Sequence, residues 1–133
     1  MTVFANTEKM YEVLGNLFRN LMSNEEVLEK FLAAEITILF EIHDPAGQIW
    51  LAPEQGVICG PADLKPTITM SLSGDSCHKF WLKQLSMPVA LATRKIKARG
   101  PLPKVLKLLP LLNPAYEAYP EIATSHGLSI ARK

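Results

Sequence analysis

Apolar residues recur with helical spacing through residues 6–22. Met10, Val13, Leu14, Leu17, Phe18, Leu21 and Met22 form one continuous stripe. The stripe predicts an amphipathic helix that Asn6 or Thr7 can cap. Ser23-Asn24-Glu25-Glu26 has the form of a capping box and opens a second, shorter helix with Val27, Leu28, Phe31 and Leu32 on its apolar side. The period then changes to two. From Glu35 to His43, residues Ile36, Ile38, Phe40 and Ile42 alternate with Glu35, Thr37, Glu41 and His43, which predicts a half-buried strand. Asp44-Pro45-Ala46-Gly47 is a turn, and 48–52 returns as the second arm of a hairpin. Residues 57–59 make a short third strand, ended by Gly60-Pro61.

The alternation is cleanest over 67–73, where Ile68, Met70 and Leu72 interleave with Thr and Ser. A helix bearing Cys77, Phe80, Trp81 and Leu85 follows, and Met87-Pro88 should break it. Residues 89–99 read as a basic strand, with Ile96 and Ala98 on one side and Lys95, Lys97 and Arg99 on the other. The last third is helical and punctuated by proline and glycine at 103, 110, 114, 120 and 127. Several strands precede any crossover helix. The pattern therefore predicts an α+β domain over 1–133, with a largely antiparallel sheet of about five strands and helices on one face.

The segment 102–112 stands apart. Leu102, Val105, Leu106, Leu108, Leu109, Leu111 and Leu112 surround almost the whole helix, leaving only Lys104 and Lys107 as a polar stripe. A surface helix needs an apolar arc of roughly 100°, and this one is wider. It must bury more than one side, in deep core, at a membrane interface or along an apolar cavity, and periodicity alone does not choose among these. Pro110 removes a helical hydrogen bond and should kink or end the helix.

Composition narrows the function. The chain of 133 residues is 48% hydrophobic and 20% charged, as expected of a globular domain. No stretch approaches the roughly 20 apolar residues needed to span a bilayer. The first residues have no signal-peptide form, and Ser-Ile-Ala-Arg-Lys is not a Ser-Lys-Leu address, so the cytoplasm is the expected location. Cys59 and Cys77 lack metal-ligand spacing, which fits a reducing compartment. The net charge is +1, but residues 1–64 hold three bases against ten acids, whereas 65–133 hold eleven bases against three. Between Ser76 and Tyr116 there are eight bases and no acid. Such asymmetry marks either an anionic partner or a merely dipolar monomer. Single-strand nucleic-acid binders interleave bases with aromatic residues. Residues 82–115 contain no Phe, Tyr or Trp, so nucleic acid is not the expected partner.

Candidate chemistry is sparse. His43, His78 and His126 belong to no metal motif, and no phosphate-binding or nucleophile-elbow motif occurs. Cys77 and His78 are adjacent on a helix and so point apart; Cys77 reads as a core thiol. Ser73-Gly74-Asp75-Ser76 reads as a turn with a helix cap. Glu35 and Glu41 lie roughly 20 Å apart at strand rise, too far for an acid–base pair. No metal or cofactor is expected. A small enzyme using His78 or His43 would need a nucleophile or carboxylate within hydrogen-bond reach.

Three ordered pieces resemble the sterol carrier protein type-2 family. Lys65-Pro66-Thr67-Ile68-Thr69-Met70-Ser71 looks like its strand of alternating apolar and hydroxyl residues. Phe80-Trp81-Leu82-Lys83-Gln84-Leu85-Ser86-Met87-Pro88 looks like its helix and following loop. Lys95-Ile96-Lys97-Ala98-Arg99-Gly100 with 102–109 looks like its closing basic strand, glycine and apolar helix. The resemblance implies non-enzymatic binding and transfer of a fatty acid, fatty acyl-CoA, phospholipid or sterol in an apolar tunnel between sheet and helices, by a monomer or homodimer. It places Phe40, Ile68, Met70, Phe80, Trp81, Ile96, Leu102, Val105, Leu106 and Leu109 on the tunnel wall. Arg94, Lys95, Lys97, Arg99, Lys104 and Lys107 would contact head groups or a transient anionic membrane surface. The alternative is an accessory or protein-interaction domain of the same fold with no roomy cavity.

Overall fold

The computed structural model describes residues 3–128, except the side chains of Leu102, Val105, Leu106, Leu108 and Leu109. The chain opens with α1 (Thr7–Met22) and α2 (Glu25–Ala34). Asn6 caps α1 by accepting from the Lys9 N–H at 2.8 Å. The cap of α2 is Asn24, which accepts from Val27 N–H at 3.2 Å. Ser23 instead closes α1, and with Val27 three residues after Asn24 the expected capping box does not form. Three strands follow: β1 (Ile38–His43), β2 (Gly47–Ala52) and β3 (Gly56–Cys59). Glu35 is not part of β1, because it ends α2 in a left-handed conformation.

The chain continues through β4 (Ile68–Ser73), α3 (Gly74–Trp81), α4 (Met87–Ala92) and β5 (Ile96–Arg99), then α5 (Leu102–Leu111) and α6 (Asn113–Ser125). The basic strand expected over 89–99 is therefore only its last part. Met87-Pro88 does not end a helix but begins one, with Ser86 before it and the proline in the first turn. Proline suits that position because its missing N–H would have no helical partner there. Pro110 lies one residue before the end of α5, in line with its expected effect.

The five strands form one sheet in the order β3-β2-β1-β4-β5. Three pairings are antiparallel, while β1 and β4 run parallel, with Phe40 opposite Met70. The register puts Ile38, Phe40, Ile42, Ile49, Leu51, Ile68, Met70, Leu72 and Ile96 on one face, where the helices lie. There Phe18 of α1 stacks on Phe40 at 5.0 Å, and Trp81 of α3 meets both rings edge-on. Leu39, Trp50 and Thr69 are buried on the opposite face. Residues 60–67 carry the chain from β3 to β4, and Pro61 on that route shares a hollow with Glu41 and Gln48. Gly100 follows β5 with φ +127, and a Cβ there would meet the Thr67 carbonyl oxygen at 2.5 Å. Only glycine fits this approach of the α5 connection to β4.

Candidate functional site

An apolar hollow among the described residues lies on the helix side, where the α3–α4 turn faces the α5–α6 corner. It measures about 430 Å3. This is within the range of small-molecule pockets, roughly 300–1,000 Å3. Ser73 caps α3 by accepting from Ser76 N–H at 3.1 Å, and Asp75 Oδ1 accepts from Val3 N–H at 2.7 Å. These bonds anchor the start of α3. Its end turns sharply, with Lys83 in the left-handed region at φ 62 and its N–H donated to the Phe80 carbonyl at 3.1 Å. The reversal brings Leu85, Met87 and Pro88 to the same hollow as Phe80. Pro110, Asn113 and Tyr116 supply the other wall.

Aromatic contacts order this wall. The Tyr116 ring lies 5.4 Å from both Phe80 and Trp81, centroid to centroid. Burial pushes its hydroxyl up to about 12, so it remains a neutral donor at neutral pH. Lys83 Nζ sits 5.7 Å from the centre of the same ring, a cation–π contact at the rim. Ser86 and Asn113 are exposed neutral rim residues, and among the described residues no acid lines the hollow. Two other hollows, about 270 and 340 Å3, carry Glu35 and Glu54 in one case and Glu41 in the other.

Of the residues expected on a tunnel wall, Phe80 lines this hollow. Phe40, Ile68, Met70, Trp81 and Ile96 are at most 2% exposed and join the core between sheet and helices. The positions of Leu102, Val105, Leu106 and Leu109 fall on side chains outside the described residues. Arg94, Lys95, Lys97, Arg99 and Lys107 are exposed. Lys104 is half-buried and donates from Nζ to the Ala34 carbonyl at 3.1 Å, tying α5 to the end of α2. Lys83, Leu85, Ser86, Met87, Pro88 and Tyr116 were not singled out for a binding role from sequence. The signal that could have found them is the proline that marks each corner, Pro88 in one and Pro110 in the other.

The histidines serve the frame. His78 is buried, with Nδ1 2.6 Å from Tyr119 Oη, which joins α3 to α6. His43 Nδ1 lies 3.1 Å from Asp44 Oδ2 in an exposed turn, and His126 caps the end of α6. Burial holds the Cys77 thiol at about 12 and pushes Cys59 up as well, although Arg19 beside Cys59 opposes the shift. Among the described residues no cluster of three His, Cys, Asp or Glu could hold a metal ion. Among them, too, no helix is long and apolar enough to cross a membrane.

No family model matches the chain, and no curated protein matches it in sequence. Solved structures are more informative. The sterol carrier protein domain 2 of Helicoverpa armigera superposes with a TM-score of 0.63 at 19% identity, covering 77% of this chain and 84% of that one. Apo sterol carrier protein 2 from Yarrowia lipolytica gives 0.60 at 16% identity, with 76% and 88% covered. Sterol carrier protein-2 from Aedes aegypti, solved with the C16 fatty acid palmitate, gives 0.57 at 16% identity, with 74% and 92% covered. This chain has the fold of sterol carrier protein 2.

Proposed function

We propose that the protein reversibly binds and transfers a single-chain lipid, without enzymatic chemistry, on the helix side of its sheet. The observation that carries this reading is the apolar hollow of about 430 Å3 between the α3–α4 turn and the α5–α6 corner, with Lys83 at the rim. A structure of the same fold that holds palmitate supports a fatty acyl chain as the ligand class. An acyl chain would lie against Phe80, Leu85, Met87 and Tyr116. Each buried CH2 contributes about 0.8 kcal/mol before ordering costs. The Lys83 ammonium would meet a carboxylate or phosphate, and Ser86 and Asn113 would hydrogen-bond to it. Tunnel-wall roles for Ile68, Met70 and Ile96 would require the interior to open from this hollow.

Purified protein should release a long-chain lipid on solvent extraction, detected by mass spectrometry. A fluorescent fatty acid should bind and be displaced by dodecanoate. Ser86→Trp should fill the hollow from an exposed position and weaken binding about tenfold, equivalent to roughly 1.4 kcal/mol. Absence of both co-purified lipid and displacement would remove the reading. The dense packing of Phe18, Phe40 and Trp81 favours the second reading, an accessory domain with a filled interior, and that outcome would select it.

A further inference from the structure

Among the described residues, helix α4 has no partner on one side. Its sequence, Met87-Pro88-Val89-Ala90-Leu91-Ala92, contains no charged or hydrogen-bonding side chain. Met87 and Ala90 are buried, and the helix packs beside β5. Pro88, Val89 and Ala92 are exposed and fall within one arc of about 100°. Val89, at 53% exposure, is the most exposed large hydrophobic side chain among the described residues. The next is Leu32 at 43%, which borders a hollow rimmed by Glu35 and Glu54.

Charge surrounds this apolar face on both sides and has one sign. Lys83, on the turn before α4, lines the same hollow as Pro88. Arg94 and Lys95 follow directly after the helix and are exposed. Arg94 is held in the left-handed region at φ 60, and the Lys95 N–H is bonded to the Ala90 carbonyl at 2.9 Å, which keeps both bases close to the helix end. Lys97 and Arg99 continue along β5, an edge strand. No acid occurs anywhere from Ser76 to Tyr116.

We infer that α4 is a membrane-docking element, which inserts Val89 and Pro88 shallowly into the surface of an anionic bilayer while Lys83, Arg94 and Lys95 contact the lipid phosphates. Three small apolar side chains are too few for a standard protein interface, which buries about 800 Å2 per partner. A bilayer needs no shape complementarity, and shallow apolar insertion beside basic residues is a sufficient combination for interfacial binding. Met87 and Pro88 belong to both α4 and the hollow, so docking would bring the hollow's mouth to the lipid surface. The inference deepens the lipid-carrier reading and rests on it for its purpose, although docking itself can be measured separately.

The test is co-sedimentation with vesicles of phosphatidylcholine alone and of phosphatidylcholine with phosphatidylserine at about four to one. The protein should bind the anionic vesicles at low salt and the neutral ones at least tenfold more weakly. Val89→Glu and Lys95→Glu should each reduce anionic binding about tenfold. Val89→Trp should shift emission to the blue on vesicle addition and be quenched by brominated lipid, against the constant background of buried Trp50 and Trp81. Val89 lies outside the hollow, so Val89→Glu should leave displacement of the fluorescent fatty acid unchanged in vesicle-free solution. Equal loss of free fatty acid binding in that variant would overturn docking through α4. So would anionic binding indifferent to both substitutions, or concentration-dependent self-association that Val89→Glu abolishes while vesicle binding persists. Vesicle binding with no fatty acid binding would retain the docking role and remove the carrier reading.

Discussion

Helices α1 and α4 are both apolar on one side, and the fold treats them in opposite ways. In α1, Met10, Val13, Leu14, Leu17, Phe18 and Leu21 are all fully buried against the sheet and α6, and the polar positions face outward. In α4 Met87 and Ala90 are buried and Leu91 is half-buried, and the side left to solvent is as apolar as the side that is covered. Amphipathic spacing accounts for α1 completely, because each face has a partner of matching polarity. It does not account for α4, whose outer face has no polar residue to offer water. The difference separates a helix that builds the domain from one that the domain displays.

The contrast makes ranked predictions. Phe18→Ala should destabilise the protein by about 3–5 kcal/mol in chemical denaturation, since it removes the ring between Phe40 and Trp81 and leaves a cavity. Alkaline pH should act next. Cys77 is held near 12 and Tyr116 near 12 in the fold, above their ordinary values of 9 and 10. Their folded pKa values are raised, so the unfolded chain loses these protons first. The stability tied to the neutral forms is then complete below about pH 9 and declines as pH rises towards 12. A series of thermal melts from pH 8 to 11, expressed as a falling midpoint, checks this, and Cys77→Ala should flatten the part that begins near pH 9.

Smaller effects test the two helices directly. Asn6→Ala should cost about 1 kcal/mol through loss of the α1 cap to Lys9 N–H. Val89→Ser should change folding stability by less than about 0.5 kcal/mol, because the side chain is mostly in water already. A large destabilisation from Val89→Ser would mean that α4 is built in like α1, and the contrast would fail.

Much of the frame was legible in the residues. The stripe of α1, the alternation of β4 and the hairpin of β1 and β2 are local patterns whose period follows from backbone geometry. The capping of α1 by Asn6 and the turn at Ser73–Ser76 needed only nearest neighbours. Residues 89–92 were misread as strand because a short apolar run has no period long enough to distinguish helix from strand. The proline in the first helical turn was the overlooked sign. The candidate site was legible only at Phe80. Lys83 and Tyr116 are 33 positions apart in the chain, and no spacing rule links them.

The sequence alone determined most of the element types, α4 excepted, together with the acid-free basic stretch and the over-apolar character of α5. These depend on residues within one or two turns of each other. Tertiary structure decided the parallel pairing of β1 with β4, the His78–Tyr119 bond across 41 residues, and the hollow between two corners. It also decided which apolar residues of α4 remain uncovered. Those outcomes depend on which distant surfaces meet, and burial is a property of that meeting rather than of any residue's neighbours in the chain.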